Sequence, residues 1–433
     1  MTRARLATAT LLATSLVAAL AAPHALLAQT IAIVGGKVYP VSAPAIDNAT
    51  VLIRDGRIVA VGASVTVPAG AQRIDATGKI VTPGFVNGAS RVGLEEISSV
   101  PATREMIARG RERIAAAFRP WEGLNPRSVL IGQTRDAGIT AIVVTPAGGL
   151  ISGQAGVLRL VSGGVSDMLL RAPVGMVANL GPAYGAAFTP RAETLNRLRE
   201  ILEDTRVYRT RRADYERAQT RPLVASRLDM EALVPVLEGR VPLIVDVDRA
   251  SDIETAMKIA RDYGLRLIVK GGAEAWMLAD RLAAAKIPVL TGAMNNVPKQ
   301  FATLGQRQEN AGLLAKAGVS VTLIGNAEGG STDAFTARNV RYEAGNAVAY
   351  GMEWNAALRA VTLTPAETFG VADQIGSLAA GKRADVVVWS GDPFEFSSRA
   401  EHVFVNGVQT TTPTREDLLE QRYKTLPPAY RTP

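Results

Sequence analysis

The 433-residue chain contains no cysteine and two histidines, His24 and His402. Without cysteine there is no disulfide, no thiolate zinc site and no cysteine nucleophile. His24 lies in the amino-terminal segment that reads as cleaved, so one imidazole is left and a multi-histidine metal centre cannot be built from it. Aromatic residues make up 5% of the chain, too few for a platform on which nucleic-acid bases would stack. No GK[ST] phosphate loop and no glycine-rich fingerprint follows an early strand, which argues against a nucleotide fold. Beyond the first 28 residues no run is long and apolar enough to cross a bilayer.

Basic residues number 48 and acidic residues 40, a formal charge of +8. Much of the excess is arginine spread along amphipathic stretches, densest at residues 206–217, RVYRTRRADYER. Such a run reads as a solvated helix face, and no nucleic-acid partner is expected. Residues 1–28 read as a signal peptide: Arg3 and Arg5 precede the apolar run 6–22, and Ala28 stands before Gln29-Thr30 as the cleavage point. Subtracting those two arginines from +8 leaves +6 on the exported chain. The expected location is periplasmic or secreted, with no membrane association after cleavage.

Residues 29–79 read as short strands, and Asp55-Gly56 between two apolar runs is a hairpin signal because glycine tolerates the positive φ of a tight turn. From residue 80 to 370 continuous apolar strands alternate with helices. Strands are expected at 138–146, 173–180, 241–247, 265–269, 287–290 and 319–324. Helices are expected at 192–208, 253–263, 274–285, 306–317, 336–350 and 355–361. That alternation implies a parallel sheet covered on both faces, and its length suits an α/β fold of the (β/α)8 barrel type. A doubly wound sheet is the second choice. Residues 371–412 return to β character, and 413–433 form a polar tail.

Residues 80–97, IVTPGFVNGASRVGLEEI, resemble the opening barrel strand of the amidohydrolase superfamily, PGF-[IV]-D-x-H-x-H. Thr364-Pro365-Ala366, the run Gly376 to Val388 (GSLAAGKRADVVV) and Val403 to Gly407 (VFVNG) resemble that superfamily's later elements in the same order. The resemblance implies a metal-bearing (β/α)8 barrel that hydrolyses amide, amidine and ester bonds. It also implies a discontinuous small β-sandwich, made from residues 29–79 and 371–412. Residues 246–253 and 267–276 are most similar to the imidazolonepropionase-like branch. Carried over position by position, the family's first-strand Asp is Asn87 and its two histidines are Ala89 and Arg91. Asp246 and Asp248 stand for the histidines of an HAHRADDI-like run, Gly271 for a strand-end histidine and Asn326 for the catalytic aspartate. No counterpart of the bridging lysine on the fourth strand is evident.

An H-x-H pair works because side chains two apart on a strand point the same way, aiming two neutral imidazoles at one ion while leaving a position for water. With those imidazoles replaced, no cofactor is expected. Arg91, Asp246, Asp248, Lys270 and Asn326 remain as pocket candidates, and Arg91 is expected to pair with Asp246 or Asp248 where the metal would lie. One alternative is a divalent ion held by oxygen from Asp246, Asp248, Glu95, Glu96 and Glu328. Another is a metal-free hydrolase with Ser90, Ser152 or Thr291 as nucleophile and Lys270 as base. The glycine-rich stretch 148–154 reads as a loop lining the barrel mouth. His402 reads as a lone residue of the small β unit. The leading expectation is a degenerate amidohydrolase acting as a binding or partner subunit, for a small-molecule ligand, a related amidohydrolase subunit or a second copy of itself. The alternative is an active amidohydrolase with an unusual site.

Overall fold

The computed structural model describes residues 30–108, 110–181, 190–294, 298, 301–325, 333–410, 413 and 415–424. The region read as a signal peptide lies outside them. Among the described residues sixteen strands form two sheets. The first five are β1 (Thr30–Val38), β2 (Ile46–Arg54), β3 (Arg57–Gly62), β4 (Gln72–Asp75) and β5 (Ile80–Pro83). Eight follow: β6 (Phe85–Ser90), β7 (Ile139–Val144), β8 (Ile151–Arg159), β9 (Leu169–Asn179), β10 (Leu243–Val247), β11 (Leu267–Gly271), β12 (Val289–Thr291) and β13 (Val321–Leu323). The last three are β14 (Val386–Trp389), β15 (Ala400–Val405) and β16 (Val408–Gln409).

The small unit is one hydrogen-bonded set of eight strands in the order β16-β15-β14-β5-β1-β2-β3, with β4 alongside β1. Chain ends meet in it: β5 pairs antiparallel with β14, Val81 opposite Val388. Ile31, Ile33, Val51, Ile53, Val386, Val388 and Phe404 form its buried core. The Asp55-Gly56 hairpin is as expected, with φ of 52° and 73°, the left-handed pair that a two-residue β2–β3 turn requires.

The passage from sheet to barrel falls at Gly84, so residues 80–83 belong to the small sheet and the barrel opens at Phe85. A Cβ on Gly84 would lie 2.1 Å from Thr140 Oγ1, and the Gly84 amide donates to Asp385 O at 2.9 Å. Only a residue without a side chain lets the two sheets touch there. Trp389 seals the same joint, buried against Phe85 and donating from Nε1 to Thr82 Oγ1 at 2.9 Å.

The second sheet runs β6 to β13 in order and closes nearly into a barrel. At the seam Gly88 approaches β13 so closely that a Cβ would meet Thr322 Cγ2 at 2.4 Å. The (β/α)8-type barrel is therefore present, with one departure: β8 runs antiparallel to both β7 and β9. Alternate residues fill the lumen, among them Val86, Ala141, Val143, Val157, Val177, Ile244, Ile268 and Leu290. Phe369, Val371 and Ile375 plug its lower end. The outward positions, such as Ile142, Val245, Val269 and Val289, pack beneath the helices.

Helix Ala250–Tyr263 shows how the outer layer forms. Ile253, Ala256, Ile259 and Ala260 make one apolar stripe, and Gly264 ends the helix with a left-handed φ of 69°. The long helix Arg191–Thr210 buries Leu198, Ile201 and Leu202, as the sequence implied. The arginines of 206–217 are exposed and locally paired, Arg211 and Arg217 with Asp214 at 3.0 and 2.8 Å and Arg212 with Glu216 at 3.1 Å. The polar tail carries an exposed helix, Arg415–Tyr423. Among the described residues no helix is long and apolar enough to cross a membrane.

Candidate functional site

All parallel strands deliver their C-terminal ends to one face of the barrel, and the expected site residues gather there. Asp246 is the last but one residue of β10, on the side of Ile244, and Lys270 the last but one of β11, on the side of Ile268; the two strands pair with Asp246 opposite Lys270. Lys270 Nζ donates to Asp246 Oδ2 at 2.7 Å, with side-chain exposures of 16% and 20%. An ammonium thus sits directly against the carboxylate that the sequence resemblance matched to a metal ligand.

Arg91 lies just past the end of β6 and pairs with Glu95 at 3.6 Å. Among the described residues this replaces the expected pair with Asp246 or Asp248, because Asp246 is taken by the lysine on the neighbouring strand. Glu95 is fully buried, and among the described residues neither of its carboxylate oxygens has a hydrogen-bond donor. Burial pushes its pKa up against the pull of Arg91 and Arg104.

Asp248 follows β10 and accepts the Ala273 amide at 3.3 Å. Its pKa is pushed up to about 6, first by burial and then by the charge of Asp246. Gly271, the position of a family histidine, has φ of 88°, and a Cβ there would stand 2.6 Å from Asp248 Oδ1. A side chain at 271 has no room while Asp248 keeps its place. Ala89 is buried with no donor atom to offer. Asn87 is buried structure: Nδ2 donates to Ala337 O at 3.1 Å and Oδ1 accepts the Ala89 amide at 3.2 Å. Asn326 and Glu328 lie outside the described residues.

The other expected groups are engaged locally. Glu96 holds Asn125 Nδ2 at 2.9 Å and Ser128 Oγ at 3.0 Å, fixing the start of helix Val129–Asp136. Ser90 Oγ accepts the Val92 amide at 3.2 Å, and Thr291 Oγ1 accepts Asn310 Nδ2 at 3.4 Å. Ser152 Oγ accepts from Asn179 Nδ2 at 2.6 Å and donates to Gly149 O at 3.2 Å. Glycines 148 and 149 do lie at the mouth, but residues 151–159 continue as strand β8 and not as a loop. His402 sits in β15, its Nδ1 2.9 Å from Gln409 Nε2, away from the barrel mouth.

Two mouth residues had no place in the sequence reading. Asn179 ends β9, the fourth strand, opposite Asp246, and binds Gly149 O at 2.7 Å. Its signal was a lone amide closing the apolar run Met176-Val177-Ala178. Glu274 is buried and accepts two amides at 2.9 Å, Ala250 at the start of a helix and Gly305 from the next loop. Nothing in the spacing marked it.

A metal fits poorly here. Ala89 and Gly271 supply no ligand atom, Arg91 carries a fixed positive charge, and Asp246 is already neutralised by Lys270. Among the described residues no three His, Cys, Asp or Glu side chains are grouped to share an ion.

A family model described as the amidohydrolase family matches residues 246–412. Amidohydrolase tasK of Hapsidospora irregularis is 38% identical over 71 residues, a segment that is 16% of this chain and spans 7% of that protein. Among solved structures, an amidohydrolase from Thermotoga maritima MSB8 superposes with a TM-score of 0.79 at 26% identity, covering 88% of this chain and 100% of that one. Molinate hydrolase (TM-score 0.52, 20% identity, 94% and 99% covered) shares the fold. So does phenylurea hydrolase B, with a TM-score of 0.51, 17% identity and 89% and 99% covered.

Proposed function

We propose that this chain, which belongs to the amidohydrolase superfamily, retains the barrel without a nitrogen-ligated metal and serves as an exported binding or partner subunit. The observation that carries the reading is the Lys270–Asp246 bond at 2.7 Å. It puts a side-chain cation against a carboxylate standing for a metal ligand, and a resident ammonium makes a second cation beside it electrostatically unfavourable. The paired charges satisfy one another across adjacent strands, which holds the mouth in one arrangement and leaves it able to bind a polar small molecule. A related amidohydrolase or a second copy of this chain is the proposed protein partner, by analogy with the fold alone. Export rests on the amino-terminal pattern of residues 1–28, and N-terminal sequencing of material from the periplasm or medium should begin at Gln29.

A second reading keeps an enzyme. Asp248, titrating at about 6 beside Asp246, could exchange a proton near neutral pH without a metal. Hydrolysis of an amide and ester panel, with and without added Zn²⁺ or Mn²⁺, tests both. The subunit reading expects the same background rate in wild type, Asp246→Asn and Asp248→Asn. Turnover stimulated by metal and abolished in Asp246→Asn would overturn it, and metal-independent turnover lost only in Asp248→Asn would establish the second reading.

A further inference from the structure

Opposite the mouth, a crevice of about 670 Å³ opens where the barrel meets the small sheet. Because β8 runs antiparallel, its last residue, Arg159, lands on this lower face. Arg135, from helix Val129–Asp136, stands beside it, and the β15–β16 hairpin supplies Gln409 and Thr410 across the gap. Ser162 and Ser166 complete the polar wall.

The two guanidiniums are held in place yet largely unspent. Each has five N–H donors. Arg135 donates a long bond to Leu160 O at 3.4 Å, and its Nε stays 3.8 Å from Asp136. Arg159 donates to Asp167 O at 3.1 Å. The Nε of both is buried, without an acceptor among the described residues. Asp167 also borders the crevice, its carboxylate accepting the Gly164 amide at 2.8 Å, and it and the buried Asp385 are the carboxylates whose charge acts on Arg159. Arg383, close enough to repel Arg159, is tied to Asn406 Oδ1 at 3.0 Å.

We propose that this crevice binds a small organic anion, with Arg135 and Arg159 receiving its carboxylate or phosphate group. Paired guanidinium forks match the planar or tetrahedral oxygens of such groups. The volume falls within the roughly 300–1,000 Å³ of pockets that hold small organic ligands, more than a bare oxyanion fills. Serine, threonine and glutamine side chains are placed to meet the remainder of the molecule. The site is separate from the mouth, so it stands whether or not the reading of the mouth does.

Calorimetric titration of the purified full chain at fixed ionic strength, with succinate, glycerol 3-phosphate and inorganic phosphate, is the test. At least one organic anion should bind at a single saturable site. Arg135→Gln and Arg159→Gln should each weaken that binding at least about tenfold, the equivalent of one charge-assisted hydrogen bond. Val408→Glu should do the same by adding a negative charge to the wall; Val408 is 65% exposed, so this variant folds even if an arginine substitution does not. Arg266→Gln, in a different basic crevice, should change nothing. No saturable binding by any probe, equal affinity for inorganic phosphate and the organic anions, or affinity insensitive to the three wall variants would each overturn the assignment.

Discussion

The Lys270–Asp246 pair can be weighed by removing each charge in turn. The variants are Lys270→Met and Asp246→Asn, which keep the side-chain volume, and the double substitution. Exposed ion pairs contribute about 0–1 kcal/mol, whereas stripping one partner from a buried pair costs about 3–5 kcal/mol. Here the contact is 2.7 Å and the side chains are 16% and 20% exposed, so the case lies between those limits. A coupling of about 1–3 kcal/mol is expected on that basis. Each residue has other neighbours, and the cycle subtracts them, because only the mutual term survives the double difference. Urea unfolding at pH 7.5 gives the four stabilities, and a second set in high salt should lower the coupling only slightly, since the pair is mostly shielded from solvent. Additive single substitutions, with a coupling under about 0.5 kcal/mol, would show that the two charges do not hold each other. The barrel mouth would then have to be stabilised in some other way.

Two further predictions concern the same framework. Folded Asp248 keeps its proton up to about pH 6, whereas the unfolded chain releases it near 3.8, so the folded state binds more protons in that window and loses stability as pH rises through it. Asp248→Asn should therefore stabilise by about 1–2 kcal/mol at pH 7.5 and have little effect near pH 4, read by urea unfolding at both; an unchanged stability at pH 7.5 counts against the buried-acid description. Gly84→Ala would force a Cβ to within 2.1 Å of Thr140 Oγ1 between two sheets, and should cost about 3 kcal/mol in the same assay, with a lowered thermal midpoint. A loss below about 0.5 kcal/mol would mean the joint can open without strain.

Most of the barrel was legible because its strands are continuous apolar runs, and burial on both faces of a parallel sheet demands that. Strand β8 was not, since Ile151-Ser152-Gly153-Gln154-Ala155-Gly156 has little β-branched content, and its antiparallel course is set by neighbours distant in sequence. The sequence places the start of the barrel five residues early because residues 80–83 are as apolar as those that follow, and the change of sheet depends on a close contact at Gly84.

At the mouth, residue types were readable and partners were not. Asp246 and Lys270 lie 24 apart in sequence, and only the β10–β11 register brings them opposite one another. Arg91 could reach a residue four positions on, which the local turn after β6 favours over one across the barrel. Gly271 was matched to a ligand position, but the residue sharing the lumen side with Ile268 is its neighbour Lys270, because a strand alternates its faces.

On the proposed reading, a lysine ammonium, not a metal ion, neutralises the carboxylate at the top of the barrel. This is tested most directly by soaking the purified full-length protein in Zn²⁺, removing loosely held ion on a desalting column, and measuring metal per chain by plasma mass spectrometry. The account predicts well below one equivalent for the wild type, unchanged in Asp246→Asn. One tightly held zinc per chain, lost in Asp246→Asn, would contradict it.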